Sequence, residues 1–312
     1  MLSPLFYHSS KLLSPSNKID DVLQRYDRLG PTARFCLEIM HDQVETLITD
    51  RDTAIAATGP DLLKSHLLNG VKMSYDTFSH KICLVRRTRG SPLGHGKYTA
   101  SLISADVEKK VVQCLEKFSD DQLLDMWSSF SNFGDSRGMT GSIFEAFIHR
   151  RFRTRIDLAA TPMLRSNRAN SRWHASFSTK RPQSATVHGV ANQAFSLQVD
   201  VGRTFVYNTT TTLNIQPDVY YIPRSGQQVA LDSFMLSGGY LNVYQCAGSH
   251  DHGIKDGLVG FFASCSGLPP LANWRFVFVV PDDLDSFSCP ASSNPVVKDI
   301  GLYTARIPMS KP

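Results

Sequence analysis

The first third of the chain has hydrophobic residues at helical spacing. Between positions 19 and 68 they recur every three or four residues, with one break at Gly30-Pro31. Residues 80–86, HKICLVR, predict a single strand. Helical spacing returns at Asp106, and the Ser119-Asp-Asp-Gln122 sequence has the spacing of a capping box that opens a further helix. We therefore expect a mostly helical N-terminal part.

The rest of the chain alternates between the two periodicities. A helix is predicted at 142–152, another at 254–265, and a strongly apolar strand, WRFVFVVP, at 274–281. Between the first two helices the strand-like segments are FSLQVDV, LNIQPDVYYIP, QQVALDSFML and YLNVYQC. The order helix, several strands, helix, strand predicts an α/β (α+β) core in which helices cover a sheet.

The change from helical to mixed helical and strand periodicity predicts two domains. We expect a helical module at 1–105 and a second domain at 106–312. A basic connector rich in Ser and Asn, with weak periodicity, is predicted at 150–181 inside the second domain.

Composition changes the picture little. The 312 residues are 42% hydrophobic, which suffices for an ordinary core, and the net charge is only +5. Six scattered cysteines show no CxxC pair, as expected for reduced thiols in the cytoplasm or nucleus. The first residues lack the apolar segment of a signal peptide, and no apolar run is long enough to cross a membrane. We expect an intracellular protein without a membrane partner.

The charge distribution is more informative than its total. From Arg150 to Arg181 nine basic residues face one acid, Asp157. Such a block is either a solvated surface or a set of phosphate contacts, and its low acid content favours phosphate. The candidate nucleic-acid-binding residues are Arg150, Arg151, Arg153, Arg155, Arg165, Arg168 and Arg172.

One carboxylate lies in an apolar setting. In VALDSFML both alternating faces are apolar around Asp232, so a strand here is predicted to be buried on both sides. A buried carboxylate costs several kcal/mol unless it is paired, hydrogen-bonded or bound to a metal. Asp232 therefore needs a partner.

Several short motifs carry a family resemblance. They are Gly141-Ser-Ile-Phe-Glu145-Ala-Phe-Ile-His149, Tyr220-Tyr-Ile-Pro223, Leu231-Asp232-Ser233-Phe234, Tyr244-Gln245 with His252 and Gly257-Leu258, and Trp274 to Pro281. In this order they resemble Crinkler and retrotransposon-hot-spot type proteins, whose C-terminal domain has a PD-(D/E)XK restriction-endonuclease fold. The resemblance covers roughly residues 110–285. The proteins of this type include effectors that are delivered into a host cell.

The resemblance implies a nuclease site. Glu145 would be the helix acid, Asp232 the metal-binding aspartate and Gln245 the residue at the second acid's position, together holding Mg²⁺ or Mn²⁺. The family's lysine would fall at Ala247, which cannot supply a cation. His252 and Lys255, or His250 beside them, are the candidate substitutes in the following segment.

Each of these residues also fits a structural role. Ser142 and Glu145 have the spacing of a capping box, and His149 lies one helical turn after Glu145. Asp232 fits a turn that bonds the backbone. Pro217-Asp218 matches the letters PD of the family's motif, although this dipeptide is common in turns. His250-Asp251-His252 resembles a metal-ligand cluster but has no third ligand in sequence.

A second resemblance concerns the N-terminal module. RYDRLGPTARFCLEI resembles the helical lid of the AAA-like NTPase that precedes the nuclease in longer relatives. No GxxxxGK[ST] occurs, so we expect no binding of nucleoside triphosphates. The expected function is a metal-dependent nuclease-like domain acting on DNA. The alternatives are a catalytically inactive nucleic-acid or chromatin binding effector module and a structural interaction protein.

Overall fold

The computed structural model describes residues 19–30, 36, 41–68, 82–87, 98–131, 137–165, 172–177, 193–199, 202–208, 212–224, 230–292 and 294–310. The predicted mixed α/β class is confirmed, with a helical portion before a large sheet. The chain forms two compact units, Met1–Met139 and Thr140–Pro312, so the division lies 34 residues after the predicted one at 105. None of the helices in these ranges is both long and apolar enough to cross a membrane.

In its described residues the first unit has five helices and a two-stranded antiparallel sheet. The capping box at Ser119 is confirmed, because its Oγ accepts from the Gln122 N–H while Gln122 Oε1 accepts from the Ser119 N–H. The elements are α1 (Ile19–Leu29), α2 (His41–Ala56), α3 (Pro60–Leu68), β1 (Cys83–Arg87), β2 (Tyr98–Leu102), α4 (Ala105–Leu115) and α5 (Asp120–Ser131).

A buried arginine joins three of these helices. Arg51 of α2 donates to the Arg28 carbonyl oxygen at the end of α1 and pairs with Asp106 of α4 at 2.5 Å. Gly30 then ends α1 with a φ of 86°, and a Cβ there would lie 2.5 Å from the Ile103 carbonyl oxygen. The Gly30 break predicted from sequence is thus both a conformational and a packing requirement.

The second unit contains one large and one small sheet. Its elements are α6 (Arg137–Arg153, of which this unit holds the part from Thr140), β3 (Ile156–Pro162), β4 (Leu164–Arg165), β5 (Arg172–Ser176), β6 (Phe195–Val199), β7 (Arg203–Tyr207), β8 (Val219–Pro223), β9 (Ser233–Ser237), β10 (Tyr240–Cys246), α7 (Gly257–Ala263), β11 (Trp274–Pro281), β12 (Ser286–Pro290), α8 (Pro295–Lys298) and β13 (Gly301–Ile307). The large sheet has the order β6-β3-β13-β11-β10-β9-β8-β7, and the small one β12-β5-β4.

The large sheet is strongly curled. Its two outermost strands, β6 and β7, follow each other in the chain with only residues 200–202 between them. A flat sheet of this strand number would be about 34 Å wide at about 4.8 Å per strand. The link from Val199 to Arg203 reaches about 14 Å when fully extended. The margins of the sheet must therefore approach each other.

Each face of the sheet is covered by apolar side chains. On one face Phe262 of α7 packs edge-on against Phe234, with 5.2 Å between ring centroids. On the other face Phe152 of α6 packs against Tyr220 and Tyr244 at 5.8 and 5.0 Å. The polar residues of α6 are thereby held against β8, β9 and β10.

The described parts of the predicted connector 150–181 have regular secondary structure. They contain the end of α6 and three strands, β3, β4 and β5. The signal in β3 is an alternation in which Ile156, Leu158 and Ala160 are buried and the residues between them are exposed. The basic residues on both sides obscured a short strand pattern.

Candidate functional site

Glu145 lies within α6, not at its start. The helix begins at Arg137, so Ser142 occupies an interior position and the capping-box explanation of Glu145 is wrong. Phe144, Ala146 and Phe147 are buried, whereas the side chain of Glu145 is 32% exposed to solvent. This carboxylate is thus the accessible polar group on a mostly buried stretch of helix.

A chain of polar contacts runs from Glu145 into the core. His149 Nε2 lies 3.4 Å from Glu145 Oε1, as the i,i+4 spacing predicted. His149 Nδ1 is joined to Tyr220 Oη by a hydrogen bond of 2.7 Å. The Tyr220 hydroxyl donates to Ser233 Oγ at 2.8 Å. Because His149, Tyr220 and Ser233 are all buried, this chain fixes the position of α6 against β8 and β9.

Asp232 lies immediately before β9, beside the end of β10. Its own N–H donates to the Tyr244 carbonyl oxygen, which extends the ladder between the two strands by one bond. Its Oδ2 accepts hydrogen bonds from Gln245 Nε2 at 2.7 Å and from the Cys246 N–H at 2.6 Å. The partners that the sequence required for this carboxylate are therefore one amide and one backbone N–H.

The electrostatics of Asp232 depend on Glu145. Burial raises the pKa of Asp232 well above its usual value, and the negative charge of Glu145 raises it further. The two hydrogen bonds from Gln245 and Cys246 oppose that shift. Burial, then Asp232 and Glu145, also raise the pKa of the Cys246 thiol. The two carboxylates thus act on one small region at the end of β10.

The lysine position is apolar. Ala247 is buried in the cluster that includes Val243, Phe276 and Phe278, and its N–H donates to the Val279 carbonyl oxygen. Gln245 is also buried, but its amide is directed to Asp232. Of the two strand residues assigned by the resemblance, Gln245 contacts the aspartate and Ala247 does not provide a cation.

The segment after β10 does not form a histidine cluster. His250 Nδ1 lies 3.0 Å from the Ser286 carbonyl oxygen, and His252 Nδ1 lies 3.0 Å from the Gly253 carbonyl oxygen. Asp251 instead pairs with Arg172. Burial lowers the pKa of His252, and nearby Lys255 lowers it further. Lys255 is exposed and makes no ion pair with Asp232 or Glu145 in the part of the chain that the structure describes.

The candidate phosphate-binding arginines differ in their surroundings. Arg172 donates to Asp251 Oδ2 at 2.9 Å and to Ser288 Oγ at 3.2 Å, so its charge is already matched by an acid. Arg155 and Arg165 are exposed. Arg150, Arg151 and Arg153 follow Glu145 and His149 along α6, and the positive charge of Arg153 lowers the pKa of Tyr220 against the effect of burial. Arg168 lies outside the described residues.

Asp218, the literal Pro-Asp candidate, belongs to a turn. It has a φ of 57°, is exposed, and its N–H donates to the Leu236 carbonyl oxygen. Aspartate is one of the few residues that adopt this left-handed conformation readily. The turn interpretation of Pro217-Asp218 is confirmed.

The donor set around Asp232 limits which metal could bind. No group of three or more His, Cys, Asp or Glu side chains suited to a metal ion occurs among the described residues. Two carboxylates and an amide do not fit a structural zinc site, which takes four nitrogen or sulfur ligands. Magnesium is usually held by one or two carboxylates together with water and substrate phosphates. Glu145 and Asp232, with the Gln245 amide oxygen, fit this second pattern.

Sequence reasoning assigned no role to Tyr220, Ser233 or Cys246. Tyr220 and Ser233 complete the contacts of His149, and the Cys246 N–H holds Asp232. One signal was available, because Tyr220 and Ser233 are polar groups within otherwise apolar strands, as Asp232 was thought to be. The Cys246 contact uses only the backbone and leaves no trace in the sequence.

Comparison of the chain with protein-family models, with curated proteins and with solved structures finds no match to any of the three. The family resemblance therefore rests on the short sequence motifs alone.

Proposed function

We propose that the second unit is a divalent-metal-dependent nuclease-like domain of the Crinkler and retrotransposon-hot-spot type, acting on DNA. The observation that carries the proposal is the pair Glu145 and Asp232. The two acids come from distant parts of the chain, and the pKa of Asp232 is raised by burial and then by the negative charge of Glu145. Like charges in a partly buried site are costly unless a proton or a cation compensates them.

The roles of the residues follow from their contacts. Glu145 and Asp232 would hold the metal, and Gln245 and the Cys246 N–H fix one oxygen of Asp232. His149, held in turn by Tyr220, supports Glu145. A bound Mg²⁺ would supply the positive charge needed by a phosphodiester that is attacked by water. The basic end of α6, Arg150 to Arg153, supports contact with the phosphates of DNA.

A specific observation favours a second candidate, a nucleic-acid-binding module without turnover. The position assigned to the family's lysine is occupied by Ala247 in the apolar core. The position assigned to the second acid is occupied by Gln245, which has an amide side chain. Loss of a preorganised cation from such a site typically costs a few kcal/mol of transition-state stabilisation. Of the candidate substitutes in the following segment, Lys255 is the one lysine.

The experiment compares metal binding and cleavage in two matched variants. Asp232→Asn keeps the acceptor for Gln245 and Cys246 but removes the charge, whereas Asp218→Asn changes an exposed acid on a turn. We expect Mg²⁺ or Mn²⁺ to raise the melting temperature of the wild type and of Asp218→Asn, but not of Asp232→Asn. Plasmid nicking by the wild type that is lost in Asp232→Asn supports the nuclease. Metal-independent DNA binding without nicking supports the second candidate, and an equal metal response in all three proteins rules out this site.

A further inference from the structure

One arginine of the large sheet, Arg275 of β11, has aromatic rings as neighbours but no acid as a partner. Its side chain is half-buried, and the guanidinium carbon lies 3.5 Å from the ring centroid of Tyr240 and 4.0 Å from that of Phe195. None of the ion pairs among the described residues includes Arg275. Cation–π contact stabilises the charge, but aromatic faces supply none of the oxygen acceptors that match the N–H groups of a guanidinium. Arg275 therefore has donors available to a ligand.

Two buried polar groups without hydrogen-bond partners lie beside this cation. Asn242 of β10 is opposite Arg275 in the parallel pairing of the strands, so both side chains extend from the same face. Asn242 is 4% exposed, and its Oδ1 has no partner among the described residues. Tyr244, two residues further along the same face, is fully buried, and its hydroxyl has no partner there either. Because a buried polar atom left unpaired is costly, these groups indicate a partner that the described part of the chain does not supply.

The charge of Arg275 acts on two hydroxyls of this face. Burial raises the pKa of Tyr244 and of Tyr303, and the positive charge of Arg275 opposes the shift in both. A hydrogen bond with Arg275 also lowers the pKa of Tyr303. The residue opposite Arg275 in β13 is Gly301, so no side chain from that position stands beside the guanidinium. Arg275, Tyr244, Tyr303 and Asn242 thus form one polar group on three adjacent strands, the Arg275 cluster.

A small oxyanion fits the donors and acceptors of the Arg275 cluster. A guanidinium and a phenolic hydroxyl both donate to charged oxygens, which are the strong acceptors for such groups. The unpaired Asn242 Oδ1 instead needs a donor, which a carboxylate or a sulfate ion lacks. At neutral pH inorganic phosphate has charged oxygens and also keeps a hydroxyl. We propose that the Arg275 cluster binds inorganic phosphate, with charged oxygens toward Arg275 and Tyr244 and the hydroxyl toward Asn242.

Thermal unfolding of the full chain in EDTA, with phosphate or sulfate in place of chloride at equal ionic strength, tests the proposal. Phosphate should raise the melting temperature of the wild type as its concentration increases, and sulfate should raise it less. The phosphate affinity obtained from this dependence should fall about tenfold in Arg275→Gln and in Tyr244→Phe, because each loses a hydrogen bond to a charged ligand. Arg306→Gln is the matched control, since Arg306 also lies over an aromatic ring, that of Phe177, but donates to the Asp282 carbonyl oxygen.

Tyr244→Phe removes only a hydroxyl without a partner, so this variant folds even if Arg275→Gln does not. A wild type that does not respond to phosphate overturns the site, and so does an equal phosphate affinity of wild type and Tyr244→Phe. Sulfate or thymidine monophosphate that binds as tightly as inorganic phosphate overturns the choice of ligand. Asp232 contacts the Cys246 N–H at the other end of β10, so Asp232→Asn should bind phosphate as the wild type does. Failure of the nuclease proposal therefore leaves the Arg275 cluster unaffected.

Discussion

Gln245 Nε2 donates a hydrogen bond of 2.7 Å to Asp232 Oδ2, and this bond joins a residue of β10 to the residue just before β9, both of which the family resemblance placed at the metal. An amide can stabilise a neighbouring carboxylate without any cation, because it offers a donor where a second acid would offer only repulsion. The residue at position 245 therefore sets how much negative charge lies beside Asp232 in the proposed metal site.

Gln245→Glu should make the site depend on metal. The new carboxylate would lie against Asp232, where two negative charges cannot both be ionised without a cation. We expect the variant to melt below the wild type in EDTA and to gain more stability than the wild type from Mg²⁺. Gln245→Met, which removes the donor without adding charge, is the control. A Mg²⁺ response no larger than that of wild type contradicts the assignment of Gln245 to the metal site.

Asp232→Asn should change how stability varies with pH. Burial and Glu145 raise the pKa of Asp232 in the folded protein above its value in the unfolded chain. Between those two values the folded protein holds a proton that the unfolded chain has lost, so the unfolding free energy falls as pH rises. The Asn variant should equal wild type at acidic pH and become more stable than wild type as pH rises. Urea unfolding in EDTA across a pH series measures this, and a constant difference would contradict it.

Ala247→Lys should destabilise the protein instead of restoring a nuclease. The side chain at 247 enters the apolar cluster of Val243 and Phe278, where an unpaired ammonium costs several kcal/mol. Ala247→Met, of similar length but uncharged, controls for overpacking, which costs about 1–3 kcal/mol. The difference in melting temperature between the two variants reports the charge. Equal melting temperatures, or a gain of nicking activity in the Lys variant, would show that the lysine reaches the acids.

Tyr220→Phe should cost about 1–3 kcal/mol of unfolding free energy, because it leaves buried polar atoms of His149 and Ser233 without their partner. Tyr244→Phe is the matched control, since its buried hydroxyl has no hydrogen-bond partner among the described residues. We expect the control to be neutral or slightly stabilising. Urea denaturation of both variants makes the comparison, and equal losses would contradict the proposed contact chain.

Arg155→Ala and Arg172→Ala should affect duplex DNA binding differently. Arg155 is exposed, so its loss should weaken binding to every sequence and lower the salt dependence by about one counterion. Arg172 is held by Asp251 and Ser288, so its loss should leave the salt dependence unchanged. Affinities measured over a salt series distinguish the two, and identical slopes would place Arg172 at the phosphates.

The parts of the fold that the sequence predicted are those with long, uninterrupted periodicity. The helix at 142–152, the helix before Cys265 and the apolar strand at 274–281 all occur where their patterns placed them. Strands of five residues among basic or Ser-rich stretches, such as β5 and β12, give too few alternations to be distinguished from loops.

The sequence indicated that Asp232 needs a partner but not which residues provide it. A charge in an apolar run signals that a partner exists, and Asp232 showed this signal. The identity of that partner depends on which strands are neighbours, and the pairing of β9 with β10 brings Gln245 and Cys246 to it. The resemblance placed the family's lysine at Ala247, and the burial of Ala247 in the apolar cluster depends on packing that no local pattern encodes.

The order of strands in the curled sheet also sets the order in which this domain can fold. β3 pairs with β13, and Thr304 of β13 donates to the Thr161 carbonyl oxygen across 143 positions of the chain. Such a large sequence separation predicts slow folding, because closing the loop costs chain entropy before the strand pairing contributes any stability. During synthesis β3 and β6 are complete before β13, so the edge of β3 that pairs with β13 stays open until β13 has been translated. In that interval this open edge is the place where chaperones, or other nascent chains, will bind.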